Sequence, residues 1–163
     1  MSTSVRLVGF IISVMVFAGA ASTVAVSDPA RYCNQRFGFC VDYPQNLEME
    51  PPPVNNDGRR FHDRDGFLMI ASGINNSMEE TLHSEMESQE EELDTVTYRK
   101  FGSNWYVLSG FKGPDIVYLK TYVGRGSINR LYIKYRTSLR SRYDKMVDSI
   151  SRSFVPGQIG VAH

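Results

Sequence analysis

The sequence has few of the residues and motifs that support catalysis or phosphate binding. Its 163 residues include three histidines, two cysteines and one tryptophan, and its charges balance to a formal net charge of +0. A balanced charge provides no general attraction for nucleic acid. The chain contains no Gly-x-Ser-x-Gly elbow and no glycine-rich strand-to-helix loop for phosphate. We therefore expect a protein that is not an enzyme, with no cofactor and no nucleic-acid partner.

The N-terminus has the order of a secretory signal. Arg6 is followed by an apolar run, residues 7–17, and then by the small residues 18–21. This order is typical of a cleavable signal peptide. We assign residues 1–21 to the signal, with cleavage as late as residue 25, and expect a periplasmic or secreted protein without a stable membrane span. An uncleaved anchor is the alternative, because the apolar stretch approaches the length of a spanning helix.

The two cysteines and the remaining length describe a small exported domain. Cys33 and Cys40 are the only cysteines, and in an oxidising compartment an isolated close pair predicts a disulfide. Free thiols are the alternative if the chain is not exported. The length left after the signal is usual for one domain. We expect a monomer with a single domain over residues 32–156 and a flexible tail over residues 157–163.

Hydrophobic periodicity predicts an α+β domain. Alternation predicts a series of strands over residues 37–43, 59–62, 67–72, 96–101, 105–111, 116–123 and 128–135. The last four are joined by short turns, so they form an antiparallel meander. Ser77 and Glu80 have the spacing of a capping box at the start of an acidic helix, and helical periodicity predicts a second helix over residues 138–154. The result is a twisted antiparallel sheet flanked by helices.

The order of these elements resembles a known group of folds. An aromatic first strand ends in Tyr43-Pro44, a hairpin with an Asp-Gly turn follows, and the meander carries Asn-Trp-Tyr at 104–106 before a helix that ends at Phe154. This order resembles the PsbP-like fold group, which includes the extrinsic subunit of photosystem II and DcrB-type bacterial envelope proteins. The resemblance implies an α/β/α-like sandwich with a non-catalytic binding or assembly role, and it carries over no functional residue.

Cationic and tyrosine side chains on the last two strands form the predicted binding surface. They are Tyr118, Lys120 and Tyr122 on one strand and Arg130, Tyr132 and Lys134 on the next. If the strands pair with their polar sides together, all six share one face of the sheet. Such side chains are favoured in interfaces, although they also serve as ordinary exposed strand residues. We predict that this face recognises a partner protein or an envelope component.

Two other functions stay open at this level. Four side chains flank a predicted hairpin and offer oxygen and nitrogen ligands: Asp57, His62, Asp63 and Asp65. Hard cations prefer oxygen ligands, so a metal-assisted hydrolase is one alternative, while Asp-Gly also has ordinary turn chemistry. The other alternative is an immunity-type protein that neutralises an exported toxin, with the acidic segment 79–94 blocking a basic cleft.

Overall fold

The computed structural model describes residues 28–163, so the predicted signal lies outside the described residues. Over this range the chain forms nine strands, two helices and a short 3₁₀ turn (Thr137–Leu139) that precedes the last helix. In chain order the elements are β1 (Ala30–Cys33), β2 (Cys40–Tyr43), β3 (Glu48–Met49), β4 (Gly58–His62), β5 (Leu68–Asn75), α1 (Leu82–Glu90), β6 (Thr95–Phe101), β7 (Trp105–Lys112), β8 (Asp115–Val123), β9 (Ser127–Arg136) and α2 (Arg140–Ser153). In this part of the chain no helix combines the length and the apolar character needed to cross a membrane.

Seven of the strands form one antiparallel sheet. Its order is β3-β4-β5-β9-β8-β7-β6, and β1 pairs with β2 in a separate hairpin. The predicted disulfide is present in that hairpin, where Cys33 and Cys40 lie directly opposite each other. The predicted α+β class with an antiparallel sheet is therefore confirmed.

The sheet is covered on both faces, and each face has its own core. The face that we call the α2 face packs against α2 and the β1–β2 hairpin through a core rich in aromatic residues: Phe37, Phe39, Phe61, Phe67, Tyr143 and Phe154. The opposite face, which we call the α1 face, packs against Met86 of α1 through Tyr106, Leu108 and Leu119. The helices thus lie on opposite sides of the sheet, as the α/β/α-like prediction required.

The first helix begins later than predicted. Its N-cap is Thr81, which forms a reciprocal capping box with Ser84 rather than one between Ser77 and Glu80. The buried amide of Asn76 explains the difference, because its Oδ1 accepts from the Glu80 N–H at 2.8 Å and its Nδ2 donates to the Glu80 carbonyl at 2.9 Å. These bonds hold residues 76–80 as a loop and delay the helix by one turn.

The C-terminal residues are part of the fold, in contrast to the predicted flexible tail. Gly157 donates its N–H to Asn129 Oδ1 at 2.9 Å, and the carbonyl of Ile159 accepts the N–H groups of Gly126 and Ser127 at 3.0 and 3.1 Å. The N–H of His163 donates to the Asn75 side chain at 2.8 Å. The tail therefore lies against the end of the sheet that carries the β8–β9 turn.

Candidate functional site

The six predicted binding residues lie on opposite faces of the sheet. The β8–β9 register places Thr121, Leu119 and Val117 opposite Arg130, Tyr132 and Lys134, respectively. Because directly opposed residues point to the same side of a sheet, the three β9 residues lie on the α1 face. The three β8 residues, Tyr118, Lys120 and Tyr122, lie on the α2 face. The prediction that all six residues share one face is therefore wrong, because the observed pairing of β8 with β9 differs from the predicted pairing by one residue.

The β9 half of the predicted surface takes part in contacts within the domain. The guanidinium of Arg130 forms an ion pair with Glu85 of α1. Lys134 pairs with Asp115 at 3.7 Å. Tyr132 is half-buried against the smaller core, where burial raises the pKa of its hydroxyl. Arg130 and Lys134 are therefore already neutralised by carboxylates of the same chain.

The β8 half lines a groove between α2 and the strands β6 and β7. Cross-strand pairing aligns side chains of β6, β7 and β8 in rows on the α2 face. We define the α2 groove by three adjacent rows: Trp105 with Tyr122; Lys100, Val107 and Lys120; and Tyr98, Ser109 and Tyr118. A cationic row therefore lies between two rows that carry aromatic side chains.

Helix α2 forms one wall of the groove through Asp148, Ser151 and Arg152. The space above the cationic row has a volume of about 430 Å³, and a neighbouring space of about 460 Å³ shares Tyr98, Tyr118 and Asp148 with it. These volumes fall in the range of ordinary ligand sites. The described lining residues include no histidine and no cysteine.

Lys120 has a defined place at the end of α2. Its Nζ donates to the carbonyls of Ser151 at 2.7 Å and Phe154 at 3.2 Å. A cation at the C-terminal end of a helix is stabilised by the helix dipole. Burial nevertheless lowers the pKa of Lys120, because desolvation penalises the charged amine.

The two lysines of the cationic row have no carboxylate partner within the described residues. The ion pairs of residues 28–163 involve neither Lys100 nor Lys120. Arg152 on the groove wall, in contrast, pairs with Asp148 at 2.6 Å. Lys120 is half-buried, and such charges are normally paired with an opposite charge, while Lys100 is exposed. This row can therefore accept an anionic group from a ligand.

Two tyrosines of the groove, Tyr118 and Tyr122, are engaged by α2. The hydroxyl of Tyr118 shares a hydrogen bond with Ser151 Oγ at 2.5 Å, and the Tyr122 hydroxyl donates to the Phe154 carbonyl at 3.4 Å. Burial raises the pKa of both hydroxyls. Their rings therefore provide apolar contact area with a fixed polar tip, which suits a binding surface.

Sequence reasoning missed Tyr98, Lys100 and Trp105 as members of the site. The alternation along residues 96–101 contained part of the signal, because Tyr98 and Lys100 are two apart and must share a face. The predicted meander already paired this strand with β7, but it did not give the register that brings Lys100 into one row with Val107 and Lys120.

Three of the four candidate metal ligands, His62, Asp63 and Asp65, line one open space at the surface, and Asp57 does not line it. Each of the four is engaged by other groups of the chain. Asp63 uses Oδ1 to accept the N–H groups of Asp65 and Phe67, both at 2.9 Å, and Oδ2 to accept the Tyr143 hydroxyl at 2.5 Å. The other three make separate contacts: Asp57 with Asn55, His62 with Glu50, and Asp65 with Arg142. Across residues 28–163 no cluster of three or more His, Cys, Asp or Glu side chains has an arrangement that could hold a metal ion.

A helix packs on each face of the sheet, and this arrangement together with the strand order is that of a PsbP-like sandwich, as the sequence resemblance predicted. Among solved structures, the chain is similar to the solution structure of cyanobacterial PsbP (CyanoP) from Synechocystis sp. PCC 6803. The TM-score is 0.53 and the identity 17%, over 85% of this chain and 98% of that chain. No protein-family profile matches the sequence, and no curated protein matches it. At this identity the likeness confirms the fold and assigns no residue role.

Proposed function

We propose that this protein is an exported, non-catalytic binding or assembly module that recognises a partner protein or envelope component through the α2 groove. The observation that carries the proposal is the pair Lys100 and Lys120, which lies between aromatic rows in an open groove and has no carboxylate partner among residues 28–163. Tyrosine and tryptophan are enriched in interfaces, and complementary charge steers and orients a partner.

The location outside the cytoplasm is supported by the chemistry of the N-terminal hairpin. The disulfide between Cys33 and Cys40 joins the two strands of that hairpin. Disulfides persist in oxidising compartments and are rare in the cytosol. Together with the charged, apolar and small-residue order of residues 1–21, this chemistry favours a periplasmic or secreted protein.

The test is a pull-down from the native envelope fraction with a groove variant and a matched control. Tyr98→Ala combined with Lys100→Glu alters two exposed positions of the groove and should leave the fold intact. Lys145→Glu reverses an exposed lysine of α2 that does not line the groove. We expect the wild type and the control to recover the same partner and the groove variant to lose it.

Two results would contradict this proposal. Recovery of the same partner by the groove variant, with an unchanged thermal melt, would show that the α2 groove is not the interface. Detection of the full-length chain in the cytosol with both thiols reduced would exclude the proposed location. Mass spectrometry of the protein from each cell fraction measures both the processing and the thiol state.

A further inference from the structure

The three rows of the α2 groove have the period of an extended peptide. Successive rows are two residues apart along each strand, which is about 6.7 Å. Along the groove the order is Trp105 with Tyr122, then Lys100 with Lys120, then Tyr98 with Tyr118. The side chains that an extended segment points to one side have the same spacing of about 6.7 Å. The aromatic, cationic and aromatic rows of the α2 groove therefore complement a peptide that carries an apolar, an acidic and an apolar side chain at alternate positions.

The charges in the groove favour a carboxylate over a phosphate. Lys120 lies against the carbonyls of Ser151 and Phe154 at the C-terminal end of α2, and the negative end of the helix dipole disfavours a dianion. Arginine is the side chain best suited to bind a phosphate with two hydrogen bonds, but the guanidinium of Arg152 is already paired with Asp148. The remaining donors are lysine ammonium groups, which act as single point charges.

The open side of the groove favours a polypeptide over a glycan. Strand β6 is an edge of the sheet, so the main-chain groups on its outer side have no strand partner among residues 28–163. The opposite edge is poorly suited to pairing with another strand, since β3 has only two residues and Pro51, Pro52 and Pro53 follow shortly after it. An extended segment beside β6 can therefore exchange main-chain hydrogen bonds with it, a recurring mode of peptide recognition, and its alternate side chains then extend the rows of the α2 groove.

We propose that the α2 groove binds an extended segment of the partner protein in which one acidic residue stands between two aromatic residues at alternate positions. This inference rests on the proposed function and specifies the ligand of the same groove. The carboxylate contacts the cationic row, and the flanking rings contact the rows that contain Trp105 and Tyr98.

The test uses two capped synthetic peptides with the purified protein. Each has two phenylalanines separated by serine–X–serine, where X is glutamate in one peptide and glutamine in the other. Calorimetry gives the Kd, and the fluorescence of Trp105, the only tryptophan of the chain, reports binding in the groove. We expect the glutamate peptide to bind about three- to fivefold more tightly than the glutamine peptide, which is the upper part of the range for an exposed ion pair.

A variant cycle assigns this preference to the cationic row. Lys100→Gln removes one charge of the row at an exposed position, and we expect it to reduce the preference for glutamate at least about threefold. Lys100→Arg should retain the preference because it keeps the charge. Lys145→Gln, an exposed lysine outside the groove lining, should leave both affinities unchanged and serves as the control.

Three outcomes with the peptides would overturn the inference. These are equal affinity for both peptides, no binding of either peptide up to about 1 mM, and a glutamate preference that Lys100→Gln leaves intact. Tighter binding of an oligogalacturonate than of the glutamate peptide would also overturn it, in favour of an anionic glycan. If the groove variant loses its partner in the pull-down while the peptides are not discriminated, the proposed function stands and only this inference fails.

Discussion

The ion pair between Glu85 and Arg130 is the contact that we expect to control the docking of α1. It joins α1 to β9 on the α1 face of the sheet. The side chain of Glu85 is 7% exposed and that of Arg130 is 23% exposed. The Tyr106 hydroxyl donates to the same carboxylate at 3.5 Å, and burial raises the pKa of Tyr106, so this hydroxyl keeps its proton. The pair is therefore embedded in a buried polar cluster rather than exposed on the surface.

Replacing Glu85 by Gln leaves the partly buried guanidinium of Arg130 without its counter-ion. Removing one partner of a fully buried pair costs about 3–5 kcal/mol. Since Arg130 retains 23% of its exposure, water relieves part of this cost, and we expect a loss of about 2–3 kcal/mol. At about 3–4 °C per kcal/mol for a domain of this size, the midpoint of thermal unfolding should fall by about 6–12 °C.

The double variant Glu85→Leu with Arg130→Met separates the pair energy from the cost of an unpaired charge. Two apolar side chains of similar volume fill the same space, so its stability should lie within about 1 kcal/mol of the wild type. Urea unfolding followed by Trp105 fluorescence measures all the variants. A Glu85→Gln variant within about 0.5 kcal/mol of the wild type, or a double variant no more stable than Glu85→Gln, would refute this reasoning.

Two further predictions concern the N-terminal hairpin and the turn after β4. The disulfide closes a loop with a sequence separation of 7. Replacing Cys33 and Cys40 by Ser should therefore lower the free energy of unfolding, measured in urea, by about 2.5 kcal/mol. A loss below about 1 kcal/mol would contradict this expectation. Burial raises the pKa of Asp63, but hydrogen bonds from the Tyr143 hydroxyl and from main-chain N–H groups more than offset it and leave the pKa below its ordinary 3.8. Its contribution to stability is thus present above that value and lost as pH falls through the lower folded pKa. The stability difference between the wild type and Asp63→Asn should therefore be constant above about pH 5 and shrink as the pH falls below about 3.8; a difference that stays constant on acidification would argue against it.

Local patterns predicted most of the secondary structure. The four strands of the meander agree with the predicted ranges to within a residue at each end, and α2 lies inside the predicted range of 138–154. In α2 the spacing of Tyr143, Val147 and Ile150 matched a buried helical face. These elements were predictable because strand alternation and helical periodicity depend on residues that are close in sequence.

The strand register could not be predicted from the sequence. For this reason the residues that make up the binding face could not be predicted either. The sequence suggested a turn over residues 124–126, but the N–H of Gly124 bonds to the carbonyl of Ser127 at 3.0 Å, which leaves a two-residue turn at Arg125 and Gly126. This turn is held by Ile159, whose carbonyl accepts two N–H groups from it. A shift of one residue moves every side chain of a strand to the other face, so the two-residue length of this turn fixes the face on which Arg130 lies.

By itself, the sequence determined most of the elements, the antiparallel meander and the pairing of its two cysteines, because these follow from periodicity and spacing within about ten residues. It did not predict the short strands β1 and β3. Only the tertiary structure decided which side chains share a face. It buried Glu85 of the acidic helix against Arg130 and left Lys100 and Lys120 in one row without a carboxylate. The physical reason is that burial and ion pairing depend on contacts between residues far apart in sequence, and local periodicity is nearly the same for either register.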